Sequence, residues 1–169
     1  MTGWRLGWLV VPEALAPVIE RLAQHLFICP STIAQQAALA CFEPESLAEY
    51  ERRRAQFKAR RDFFIPQLQA LGLPVPVMPD GAFYAWADCS AWVERLGLPA
   101  ATGSWDLAFD LMRRSGLALT PGRDFGSADT ARYIRFSTAS SLEQLQEAIA
   151  RLREAADGLG LLAPGDTRR

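Results

Sequence analysis

One long helical stretch in the middle of the chain constrains the fold most. From about Leu47 to Leu71, the apolar residues Tyr50, Phe57, Phe64 and Leu71 recur along one helical stripe, and arginine dominates the rest. Ser46, with Glu49 three residues on, has the form of a capping box that would open this helix; Gly72 and Pro74 would close it. Such a rod must lay its stripe on an apolar layer, and the sequence after Gly72 supplies one. There the pattern changes to short strands, first Ala82 to Ala87 (AFYAWA) behind the turn Pro79-Asp80-Gly81. A helix follows at about Ser104 to Ser115, then a strand at Leu117 to Thr120. Pro121-Gly122 fits the central positions of a type II turn, and Tyr133 to Ser137 is a further strand. Ser141 with Gln144 offers a second capping box for a last helix, to about Ala156. The tail from Asp157 to Arg169 is rich in Gly and Pro and is expected to fray.

The first 45 residues have a different character. Arg5 to Val11 reads as a short buried strand, being apolar and bounded by turns. Pro12 stands where a helix would begin, and Glu13 to about Leu26 carries an apolar face of Leu15, Val18, Ile19 and Leu22. Pro30-Ser31 breaks it, and a second helix is expected from about Thr32 to Phe42. A lone strand needs neighbours for its hydrogen bonds, so this stretch reads as the edge of a larger domain. The expectation is an α+β chain in three parts: residues 1–45, an α+β unit over 46–156, and a flexible tail over 157–169.

Composition excludes several functions. The chain has 169 residues, 50% of them hydrophobic, enough for one compact domain with a core. A net charge of −1 provides no basic surface for nucleic acid. Apolar runs fall far short of the roughly 20 residues of a membrane span, and the start does not have the form of a signal peptide. Cys29, Cys41 and Cys89 are scattered and, with the one histidine His25, form no metal-ligand pattern; a reducing cytoplasm is the simplest setting, and buried structural thiols are expected.

Few side chains invite chemistry. Arg5, at a turn-to-strand junction, could clamp a phosphate with its planar donors or be an ordinary surface arginine. Strand alternation puts Tyr133, Arg135 and Ser137 on one face, which suits Arg135 to bidentate capture of a carboxylate or to a solvated edge. His25 has no partner for general-base work. Lys58 is the one lysine among 18 basic residues. It sits mid-helix with Asp62 placed at i+4 for an ion pair, and a solvated helix face accounts for it.

The order MTGWRLGW, VVPEAL, CPSTIAQQAAL, DGAFYAW, LTPGRDFG and YIRFSTA, collinear over about residues 1–156, resembles the class I/II aminotransferases of pyridoxal phosphate (PLP) fold type I. MTGWRLG and YIRFS are the most specific pieces. The resemblance implies that Arg5 holds the PLP phosphate and that Arg135 binds the α-carboxylate of an amino acid or 2-oxo acid. It also implies that residues 1–45 are the last piece of the PLP-binding large domain, that the long helix links it to a small domain ending near 156, and that the full-length enzyme is a homodimer. Phe83 and Tyr84 fall near the substrate side chain without an assigned role. In the family a serine–lysine pair stands a few residues before the methionine matched by Met1. The Schiff-base lysine is therefore not expected in this chain, nor is transamination by the chain alone. Three readings follow: the C-terminal part of an enzyme, one half of a split enzyme, or a non-catalytic α+β binding or interaction module.

Overall fold

The computed structural model describes residues 2–162, as helices and one small antiparallel sheet. They form two compact units, Met1–Arg53 and Arg54–Arg169, with the boundary inside the longest helix.

In the first unit a short 3-10 turn, Thr2–Trp4, precedes an extended run without strand pairing. The strand expected at Arg5 to Val11 does not form. A strand needs a ladder partner, and the three strands among the described residues all lie in the second unit. The run stays open: Trp8 is 70% exposed and Val10 93%. Then come a 3-10 turn, Glu13–Leu15, and helix α1, Ala16–Leu26, whose apolar face carries no buried residue. Helix α2, Thr32–Leu39, continues as a 3-10 turn through Phe42, as its sequence suggested. Ala34 and Ala38 are buried, and the Trp8 and Phe42 rings meet at 6.0 Å between centroids.

Helix α3, Pro44–Ala70, begins earlier than the capping-box reading placed it. Pro44 takes the first helical position, where its missing N–H is no loss. Ser46 therefore lies inside the helix, and its hydroxyl donates to the Ala40 carbonyl at 2.7 Å. Glu49 accepts from Arg52 and Arg53 instead of closing a box. The expected stripe holds at its C-terminal end, where Phe64 and Leu71 are buried, while Tyr50 is exposed. Gly72 ends the helix with φ 80°, a left-handed value that glycine takes without strain, and the Leu73 amide returns to the Leu68 carbonyl at 3.0 Å.

The sheet has the order β1-β3-β2, with every pair antiparallel. Strand β1 is Tyr84–Asp88, β2 is Thr120–Pro121 and β3 is Tyr133–Ser137. Strand β1 starts two residues later than its aromatic run suggested, because Ala82 is held at φ 58°. The expected strand at Leu117 to Thr120 shrinks to Thr120–Pro121, because Leu117 and Leu119 pack onto the core instead of extending the ladder. The type II turn also does not form. Gly122 is absent from the positive-φ positions and opens a 3-10 turn, Gly122–Phe125. Its glycine has another cause: a Cβ at 122 would lie 2.1 Å from the Thr130 carbonyl oxygen.

Ala85, Ala87, Ile134 and Phe136 form the buried face of the sheet. Against them pack the end of α3, helix α5 (Gly103–Ser115) and helix α6 (Leu142–Gly158) in one apolar cluster. Both bonds of the Ser141–Gln144 capping box are present, and Leu145, Ile149, Leu152 and Ala156 of α6 face the core. A short helix the sequence reading did not separate, α4 (Ser90–Arg95), buries Trp92, whose indole N–H donates to the Leu71 carbonyl at 3.1 Å. Residues 163–169 of the expected frayed tail lie outside the described residues; residues 157 and 158 are helical.

Candidate functional site

The face of the sheet turned away from the core is the chemically distinctive surface. Alternation along β1 and β3 places Tyr84, Trp86 and Asp88 beside Ser137, Arg135 and Tyr133. Arg135 stands on the central strand, opposite Trp86 on one side and Thr120 on the other. Its Nη2 points at the Thr120 hydroxyl at 3.5 Å, the long limit of a hydrogen bond. Its Cζ is 4.1 Å from the centre of the Tyr84 ring and 4.5 Å from that of Phe125. Among the described residues Arg135 pairs with no carboxylate, so its in-plane donors are available to an external anion.

Its neighbours on this face are already engaged. Trp86 stacks on Tyr133 at 5.3 Å and meets Phe125 edge-on at 5.5 Å. Asp88, buried in its strand, accepts from the Ser90 hydroxyl at 2.6 Å, from the Ser90 amide at 2.9 Å and from the Arg132 guanidinium. Burial alone would raise the Asp88 pKa, but the donors from Arg132 and Ser90 outweigh it and hold the carboxyl below its usual range. Arg132 also reaches Asp129 at 3.2 Å, and its pKa is raised by these acceptors. Arg123 lies over the Trp105 ring at 4.2 Å. Unlike Arg132, Arg135 has no acidic partner among the described residues.

The other expected residues belong to other elements. Arg5 belongs to the first unit, exposed, with φ 54°, a backbone region that non-glycine residues rarely adopt. Lys58 donates to Asp62 at 2.6 Å on the exposed side of α3, the i+4 pair its sequence spacing predicted. His25 is exposed in the last turn of α1. Cys89 is buried as expected, and burial followed by the Asp88 charge pushes its thiol up to about 12. Cys29 is exposed, so the expectation of buried thiols fails there; it follows α1 at the surface of a unit with few buried side chains. Hollows of about 410 Å³, lined by Arg114, Arg151 and Glu154, and of about 190 Å³, under Leu119 and Phe136, lie elsewhere. Arg135 lines neither. No group of acidic, cysteine or histidine side chains among the described residues could hold a metal ion, and no described helix is long and apolar enough to cross a membrane.

Thr120 and Phe125 went unnoticed in the sequence because they reach Arg135 through the β2–β3 register and the turn after it. Only the proximity of LTPGRDFG to YIRFS hinted at them.

A family model for aminotransferases of class I and II matches residues 1–152. The chain belongs to this aminotransferase family. It is 35% identical over 154 residues to the valine–pyruvate aminotransferase of Mycobacterium tuberculosis, covering 90% of this chain and 37% of that protein. It is 36% identical to a probable aspartate/prephenate aminotransferase of Aquifex aeolicus, covering 92% of this chain and 38% of that one. Among solved structures, an aminotransferase from Mycobacterium tuberculosis superposes with a TM-score of 0.81 at 33% identity, over 94% of this chain and 39% of its own. An aromatic aminotransferase from Pyrococcus horikoshii gives 0.80 at 29% identity, over 96% and 41%. The chain thus spans under two fifths of the length of the curated aminotransferases it matches.

Proposed function

We propose that this chain is the C-terminal portion of a PLP-dependent aminotransferase in which Arg135 receives the α-carboxylate of the amino acid and the 2-oxo acid. One observation carries this reading. Arg135 sits on the central strand of the sheet, among rings and a hydroxyl, with no carboxylate among the described residues to neutralise it. A planar guanidinium left open in this way matches the two oxygens of a carboxylate. In this reading residues 1–45 end the cofactor-binding large domain, and 46–156 are the linking helix and the small domain. The whole enzyme is a cytoplasmic homodimer.

PLP, when bound, supplies the electron sink for bonds breaking at the substrate's α-carbon. The residues present fit only part of what holds it. Arg5, held at φ 54° on a tight turn, is suited to a phosphate contact. The anchoring amine is not met, because the sole lysine is Lys58, tied to Asp62 on an exposed helix face. The role of these residues is therefore to bind and orient anions, and residues 1–169 alone do not transfer amino groups.

A second observation bears on what accompanies the chain. Trp8, Leu9 and Val10, and Val18, Leu22 and Leu26 of α1, are exposed, where an independent binding module would present polar residues. This favours further aminotransferase polypeptide, joined or as the other half of a split enzyme, over the module reading.

Titration of pyruvate into nitrogen-15-labelled residues 1–169, followed at the Arg135 Nε–H, tests the carboxylate assignment. The expected result is a saturable shift at Arg135 and Thr120, weakened about tenfold in Arg135→Lys, which keeps the charge and loses the fork. An equal response in the lysine variant contradicts the assignment.

A further inference from the structure

The guanidinium of Arg135 is enclosed by aromatic rings as well as by the sheet. Tyr84 and Phe125 lie 4.1 and 4.5 Å from its Cζ. The two rings form no pair with each other among the described residues. Tyr84 meets Phe83 at 4.5 Å, while Phe125 meets Trp86 at 5.5 Å. Each is held by a separate part of the fold. Tyr84 opens β1 opposite Ser137, two positions along β3 from Arg135. Phe125 ends the 3-10 turn that follows β2, and its ring rests edge-on against Trp86, which is itself stacked on Tyr133.

A guanidinium carries all its donors in its plane and none on its faces. Rings over the faces take up surface that makes no hydrogen bonds, and they leave the edges open. One edge is directed at Thr120. Arginine has a long, rotatable side chain, and ordering it only when an anion arrives would weaken binding. Here the ordering is already done in the folded unit.

We propose that Tyr84 and Phe125 are positioning residues that fix the plane of the Arg135 guanidinium, so that its open edge meets a carboxylate with both donors aligned. This deepens the carboxylate reading above and rests on it. The ring of Tyr84 is what acts, since the contact is to the ring centre; Tyr84→Phe therefore preserves the function and Tyr84→Ala removes it.

The test uses residues 1–169 with pyruvate as the probe, in the parent and in Tyr84→Phe, Tyr84→Ala and Phe125→Leu. The Ile134 and Phe136 amide resonances report whether the sheet remains folded in each. Tyr84→Phe should bind pyruvate as the parent does, while Tyr84→Ala and Phe125→Leu weaken it about two- to fivefold each. Parental binding in Tyr84→Ala, or equal weakening in Tyr84→Phe and Tyr84→Ala, overturns the proposal. If pyruvate gives no response even in the parent, the carboxylate reading fails on its own. The positioning role is then decided without ligand, because aromatic rings displace the Arg135 Nε–H resonance. Displacement in the parent and Tyr84→Phe that is lost in Tyr84→Ala supports it, and one resonance position common to all variants overturns it.

Discussion

Gly122→Ala should destabilise the unit that carries Arg135 far more than its single added methyl suggests. The new Cβ would lie 2.1 Å from the Thr130 carbonyl oxygen and 2.8 Å from that of Tyr133. Both are backbone atoms, and Tyr133 begins the central strand β3, so neither can turn aside as a side chain could. Relief requires the 3-10 turn after β2 to move by about 1 Å, and overpacking of this kind costs roughly 1–3 kcal/mol. At about 4–8 °C per kcal/mol for a unit near 100 residues, the midpoint should fall by roughly 4–24 °C. Gly103→Ala is the matched control. Its Cβ would meet the Val93 methyls at 2.5 and 2.9 Å and the Val93 Cβ at 3.2 Å, atoms of one side chain rather than of the backbone, and alanine regains up to about 1 kcal/mol of helix propensity. Thermal unfolding followed by near-ultraviolet circular dichroism separates the two. A Gly122→Ala midpoint within about 2 °C of the parent, or a larger loss in Gly103→Ala, would show that the carbonyls of Thr130 and Tyr133 do not exclude a side chain at 122. Because Phe125 ends the same turn, Gly122→Ala should also weaken pyruvate binding at Arg135.

Two further outcomes follow from the groups beside the site. Asp88 is held below its ordinary pKa in the folded chain, so its stabilising contribution is complete above the usual carboxylate value near 3.9 and is lost as pH falls through the lower folded value. Acid unfolding should therefore begin at higher pH when Arg132→Gln removes one of its donors, and an unchanged acid limb would contradict this. Cys89, with its thiol pushed up to about 12, should resist iodoacetamide at pH 8 until the chain unfolds, while exposed Cys29 alkylates at once; mass spectrometry of the labelled peptides shows whether the order holds.

Local signals in the sequence were read correctly where the partners lay nearby along the chain. The Ser141–Gln144 box, the Lys58–Asp62 pair and the alternation of Tyr133–Ser137 all involve neighbours within a few residues. Misreadings arose where a distant partner decided the outcome. Leu6 to Val11 has strand composition, but a strand is a relation between two segments, and the run finds no partner. Pro44 displaced the Ser46 cap because proline at the first helical position competes for the same start. Gly122 was read as a turn glycine, whereas carbonyls from Thr130 and Tyr133, well downstream, are what exclude a side chain there. The candidate site divides the same way. Arg135 stood out from its strand alone, while Tyr84, Thr120 and Phe125 became its surroundings only through two antiparallel registers.

We propose that these 169 residues keep an anion-receiving surface, at Arg135, without an amine to anchor the cofactor of the aminotransferase family. Incubating the purified chain with PLP, reducing with borohydride and locating any adduct by mass spectrometry tests it most directly. No shifted absorbance band that survives reduction, no stoichiometric adduct at Lys58 and no amino transfer to pyruvate are expected. A stoichiometric adduct at Lys58 accompanied by turnover would contradict it.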